Sequence, residues 1–136
     1  MQIEQLLPFF APLIIITVFS FFGYIFYKSN KKASIELGKQ PLYTERVAGK
    51  IDTLYYKGPF IRLALYDTFL VLGYTKTLVI YYHEITSIGA KKRLFGELLT
   101  VTFLQNGKSK EIHLASMNMK SLRSTIEDQI QEGPTN

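Results

Sequence analysis

From Gln5 to Tyr27 the chain carries no Asp, Glu, Lys, Arg or His, and no other feature narrows its possible folds so far. At about 1.5 Å per residue a helix over this run reaches about 34 Å, enough to cross a hydrocarbon core of about 30 Å with some tilt. Most of its side chains are Leu, Ile, Val or Phe, and each of these near the bilayer centre favours insertion by roughly 0.3 to 0.6 kcal/mol. A cleavable secretory signal opens on a basic segment and closes on small residues. This run follows Met1, Gln2, Ile3 and Glu4 and closes on Tyr24, Ile25, Phe26, Tyr27 and Lys28. The core helix of a soluble domain would show a polar face, and this run shows none. It predicts a retained transmembrane anchor.

Charge predicts the orientation. All 16 Lys and Arg stand at Lys28 or later, with Lys28, Lys31, Lys32 and Lys39 directly after the span. The positive-inside rule then gives a single-pass protein of the cell (inner) membrane, N-terminus outside and C-terminal domain in the cytoplasm. Tyr24 and Tyr27 fall where an interfacial aromatic belt belongs. The absence of cysteine accords with a reducing compartment.

Lys28 to Leu37 contains no helix breaker, so the pattern extends the helix to residue 37, where Gly38 and Pro41 stop it. Residues 1–37 then form anchor and juxtamembrane helix, 38–44 a linker, 45–131 one small domain and 132–136 a tail. From Arg46 onward the pattern is that of short strands: Arg46 to Tyr56, Phe60 to Tyr66, Phe69 to Tyr74, Thr77 to Tyr82, Ile85 to Lys91, Glu97 to Leu104 and Lys110 to Leu114. Ile61, Leu63 and Leu65 alternate with Arg62, Ala64 and Tyr66, which predicts one buried and one wet face. Gly58-Pro59, Asp67-Thr68 and Asn106-Gly107 supply turns. Met119, Leu122, Ile126 and Ile130 then change the period to that of an amphipathic helix, with Lys120, Arg123, Glu127 and Asp128 toward water and Ser116 or Asn118 available as cap. The predicted class is an N-terminal transmembrane helix followed by a mainly β, closed or nearly closed antiparallel barrel or sandwich with a C-terminal amphipathic helix.

The run from Arg62 to Leu72, the segment from Val79 to Ile88, and the closing Ile112-His113-Leu114-Ala115 with its helix resemble bacterial pleckstrin-homology-like (PH-like) and GRAM-like domains. The resemblance covers roughly residues 45–131. It implies a partly open barrel plugged by a helix, a module that binds lipids or proteins and performs no catalysis. Phosphoinositide-binding members resemble one another in a basic cluster around the first hairpin; here Lys50, Lys57 and Arg62 stand there without the closing pair, so no phosphoinositide specificity is implied. Lys76 and Lys108 join Lys57 and Arg62 as cations at the expected ligand mouth.

The loop Lys91, Lys92, Arg93, Leu94, Phe95 and Gly96 is the strongest candidate surface. Its cations suit lipid phosphates or an acidic partner, with Leu94 and Phe95 either dipping into a bilayer or tucked beneath the loop as core. Catalytic and metal patterns are missing from the sequence: two histidines, no cysteine, no nucleophile elbow and no glycine-rich phosphate loop. His83 and Glu84, adjacent in an extended segment, would point to opposite faces. The expectation is a non-enzyme without cofactor. Its partners are membrane lipids through the anchor and a protein partner or second copy, with no nucleic-acid motif. Two classes follow: a membrane-anchored cytoplasmic PH-like adaptor or scaffold that binds a protein or the anionic lipid surface, and a small accessory or assembly subunit of a larger membrane complex.

Overall fold

The computed structural model describes residues 3–94 and 96–131. Helix α1 (Leu7–Asn30) carries the apolar run, admits Pro8 in its first turn and Pro12 inside, and is long and apolar enough to cross a membrane. It ends at Asn30, not at residue 37: Lys31 is extended, and only a single 3₁₀ turn (Ser34–Glu36) follows. Gly38, at φ +76, closes that short turn rather than the long helix. The early stop has a tertiary cause.

Seven antiparallel strands follow, β1 (Tyr43–Ile51), β2 (Leu54–Leu65), β3 (Phe69–Gly73), β4 (Thr77–Tyr81), β5 (Ile85–Lys92), β6 (Glu97–Gln105) and β7 (Lys108–Ala115), then helix α2 (Met119–Gln131). The single strand expected over Arg46 to Tyr56 is instead a hairpin: Ile51 pairs with Leu54, so the chain turns at Asp52-Thr53, where Asp52 takes the positive φ that Asp tolerates, and Gly58-Pro59, expected to be a turn, lies inside β2. The strand order is β4-β3-β2-β1-β7-β6-β5, with β1 as the hinge between two halves. The sheet curls until both halves share one core, Leu63, Leu65, Leu70 and Leu72 from one side meeting Leu99, Val101, Phe103 and Ile112 from the other. β4 and β5 are not paired with each other. The α2 face predicted from its period closes the core, with Leu122 and Ile126 fully buried and Met119 and Ile130 packed at the edges. Arg123 and Glu127 pair at 2.8 Å on its outer side.

The predicted wet face of β2 is not wet. Ala64 is fully buried, Tyr66 nearly so, and Arg62 mostly so, because the chain between α1 and β1 lies across the outer face of β2–β4. Ile35 packs there with Ala64, Tyr66, Phe69 and Val71. This second layer explains why every residue of β3 is buried: Leu70 and Leu72 face the core, Phe69 and Val71 face the covering segment. His83 and Glu84 lie in a 3₁₀ turn (Tyr82–Glu84), not in a strand, and the Glu84 carboxylate accepts the Tyr81 amide at 3.2 Å.

Candidate functional site

Two places concentrate polar chemistry, and the first joins the apolar helix to the sheet. Glu36 is 0 % exposed, and both its oxygens are occupied. Oε1 accepts from Arg62 Nη1 at 2.8 Å and from the Tyr66 hydroxyl at 3.0 Å; Oε2 accepts from the Ala33 amide at 2.6 Å and from Arg62 Nη2 at 3.0 Å. Burial alone would raise the Glu36 pKa, but the hydrogen bonds from Arg62, Ala33 and Tyr66, with the Arg62 charge, outweigh it and hold the carboxyl below its ordinary value. Arg62, hydrogen-bonded to Glu36, is pushed further up despite its own burial.

The same guanidinium ends α1. Arg62 Nε donates to the Ser29 carbonyl at 2.9 Å and Nη2 to the Lys31 carbonyl at 3.4 Å, so a cation takes carbonyls that a continuing helix would have bonded. Arg46, opposite Arg62 in the β1–β2 register, donates to Ser29 Oγ at 3.1 Å and to the Asn30 side chain, and lies 4.7 Å over the Phe26 ring. Burial, then the neighbouring Arg62 charge, lowers the pKa of Arg46. Phe60 stacks on Phe22 and meets Phe26 edge-on, each at 5.5 Å. Gly73 completes the seat: a Cβ there would collide with the Ser29 carbonyl. Arg62, read from the sequence as a ligand-mouth cation, is thus committed to the junction.

The second place is a groove of about 480 Å³ on the outer face of the sheet, where Lys50, Tyr55 and Lys57 of the first hairpin meet Lys91 and Arg93 of the β5–β6 hairpin across His113 of β7. Pairing explains the convergence: Lys50 stands opposite both Tyr55 and His113, and Lys91 opposite Leu98, so alternate residues of neighbouring strands share one face. His113 is oriented by Thr100 Oγ1 at 3.1 Å from Nδ1 and by Glu111 at 2.9 Å from Nε2. Among the described residues lining the groove none is Asp or Glu, though Glu111 pairs with the groove's His113. Its cations give the lining a positive charge, and among the described residues no metal-ligand cluster forms.

The sequence-predicted residues divide accordingly. Lys57, Lys91 and Arg93 come together in the groove; Lys92, next along β5 and on its other face, is exposed and does not line it. Leu94 is 92 % exposed, which removes the reading that tucks it beneath the loop, while Phe95 lies outside the described residues. Lys76 is exposed in the β3–β4 turn and Lys108 opens β7 exposed, both away from the groove. Lys31 and Lys32 are exposed after α1, and Lys28 sits 5.8 Å from the Tyr24 ring. Tyr55 and His113 were missed as groove residues. Their signal was the strand period, legible only once the pairing of β1 with β7 is known.

No family model matches the chain, and no curated protein matches it. Among solved structures, the C-terminal domain of an unknown protein from Leishmania infantum is similar, with a TM-score of 0.57 and 19% sequence identity over 69% of this chain and 86% of that one. What this likeness shows is a shared fold.

Proposed function

We propose that the chain is a single-pass, membrane-anchored adaptor with a PH-like domain on the cytoplasmic side, and that its basic groove engages the anionic lipid surface. The observation that carries the reading is the convergence of Lys50, Lys57, Lys91 and Arg93 on one groove of a chain that also holds a membrane-length apolar helix. Each basic residue near an anionic leaflet adds about 1 kcal/mol of attraction. The strand order, the open seam between β4 and β5, and the closing α2 support the PH-like assignment, and the lysines after α1 support the cytoplasmic side.

The test uses the full chain in zwitterionic detergent micelles into which phosphatidylglycerol is titrated. Unfolding temperature should rise with the anionic lipid, fall back at about 1 M salt, where screening acts within about 3 Å, and respond far less in a variant with all four cations changed to Gln. An equal response of that variant, or none in the native chain, overturns the lipid reading. A reporter active only outside the cytoplasm, fused after Asn136, should stay silent; a clear signal reverses the orientation.

One observation favours the second class, an accessory subunit of a larger membrane complex: the junction couples span and domain as one body, so a helix packed against other spans would place the domain accurately. A stoichiometric partner surviving mild detergent, seen by mass measurement, would select that reading.

A further inference from the structure

The docking of α1 also sets which end of the domain meets the bilayer. Arg46 and Arg62 face each other across β1 and β2, and at that level the helix presents Ser29 and Asn30. Nearer the β1–β2 turn, Phe60 meets Phe26 and Phe22. Movement along the sheet toward that turn is therefore movement along α1 toward its bilayer-embedded part. Phe22 lies on the bilayer side of Tyr24, Tyr27 and Lys28, whose side chains belong at headgroup level. A ring stacked on Phe22 is held at that depth.

The chain around Phe60 is shaped for such a position. Val47 pairs with Ile61 but Gly49 with Tyr56, so Lys57–Phe60 bulge out of the ladder opposite Ala48. Beyond the bulge β1 runs on to Ile51, about 7 Å past Gly49, and the chain turns at Asp52, which has φ +53. This end exposes Leu54 at 41% and Tyr55 at 56%, with Lys50 and Lys57 beside them. The β3–β4 turn with Lys76 lies at the same end, since Gly73 pairs with both Arg62 and Thr77. The far end of β1 is marked by Glu45, which holds Ser116 at 2.6 Å, next to the fully exposed Met117.

We infer that the β1–β2 hairpin and its Lys57–Phe60 bulge lie in the headgroup layer of the bilayer that α1 crosses, with Leu54 and Tyr55 against acyl chains and Lys50, Lys57 and Lys76 at the phosphates. The hairpin side of the groove, with Lys50, Tyr55 and Lys57, then meets the membrane plane, and the domain rests on the surface instead of hanging from a tether. Amphipathic surfaces of this composition, apolar side chains flanked by lysines, settle at that depth. The inference rests on α1 spanning the bilayer and deepens the lipid reading by naming the surface that touches lipid.

The chain has no Trp, so single introduced Trp residues report depth without background. The full chain is reconstituted in purely zwitterionic vesicles with brominated acyl chains, carrying Leu54→Trp, Tyr55→Trp, Met117→Trp or, within the span, Leu13→Trp. Leu13→Trp should lose most of its fluorescence, Leu54→Trp and Tyr55→Trp a large part, and Met117→Trp none. Adding Gly73→Val, which unseats Ser29, should restore much of the lost signal at position 54 or 55. Quenching at position 13 with none at 54 or 55, or equal quenching at 54 and 117, overturns the orientation. No quenching at position 13 removes the span and the inference with it. Because these vesicles carry no anionic lipid, failure of the groove as an anion site leaves the depth pattern intact, so the two failures are distinguishable.

Discussion

Arg62 donates from Nη1 to the buried carboxylate of Glu36 at 2.8 Å, an ion pair between the second strand and the turn that follows the apolar helix, with side-chain exposures of 14% and 0%. The pair has two further anchors, the Tyr66 hydroxyl on Glu36 and the Ser29 carbonyl on Arg62. One guanidinium thereby holds three segments together: helix end, covering segment and sheet.

Removing one partner strands the other. Arg62→Leu leaves the Glu36 carboxylate buried and uncompensated and should lower stability by about 3 kcal/mol or more, while Arg62→Leu with Glu36→Leu should recover a large part of the loss. Denaturant unfolding of the full chain in detergent checks both, and an additive double variant would show that the two groups act independently.

Acid should loosen the same junction. The folded pKa of Glu36 lies below its ordinary value of 4.5, so the carboxylate contributes stability above that value and loses it as pH falls through the folded pKa. Unfolding temperature should therefore drop as pH is lowered past about 4.5. In Glu36→Gln this acid limb should be flatter.

Gly73→Val puts side-chain atoms where the Ser29 carbonyl sits. The cost should be about 1 to 3 kcal/mol, in the range of overpacked sites. It falls on the junction more than on the core, because the core-facing neighbour Leu72 is untouched. Limited proteolysis should cut faster after Lys31 and Lys32 in this variant while far-ultraviolet circular dichroism stays unchanged.

Ile126→Asp places a charge on the buried face of α2. Stability should fall by about 4 kcal/mol or more, and Asp at the neighbouring exposed position Ser124 should cost under about 0.5 kcal/mol. Equal effects would mean that α2 is not docked.

A soluble fragment tests the covering segment. Chains that begin at residue 38 lack Ile35 and Glu36, exposing Ala64, Tyr66 and Val71 and leaving Arg62 unpaired. They should aggregate or melt lower than chains that begin at residue 30, as read by thermal unfolding.

Local pattern was enough for the type of most elements. An uncharged apolar run of this length marks a helix able to cross a membrane, a period of two marks a strand, and the Met119, Leu122, Ile126 and Ile130 spacing marks one helix face. Turn chemistry was local at the β6–β7 turn, where Asn106 and Gly107 both adopt positive φ, but not at the first hairpin, which turns at Asp52 while Gly58-Pro59 stays within β2. Relations between distant segments were not legible. Nothing near Asn30 breaks a helix; α1 stops there because Arg62, far along the chain, takes its carbonyls. Arg62, Ala64 and Tyr66 look like a wet face until residues 33–36 cover them. Lys50, Lys57, Lys91 and Arg93 become one groove only when β7 and β6 bridge the two hairpins. Backbone periodicity acts over a few residues and is written in sequence order, whereas charge pairing, burial of a second face and the placing of a hairpin beside an apolar helix act through space, and only the tertiary structure decides which residues are near enough to act.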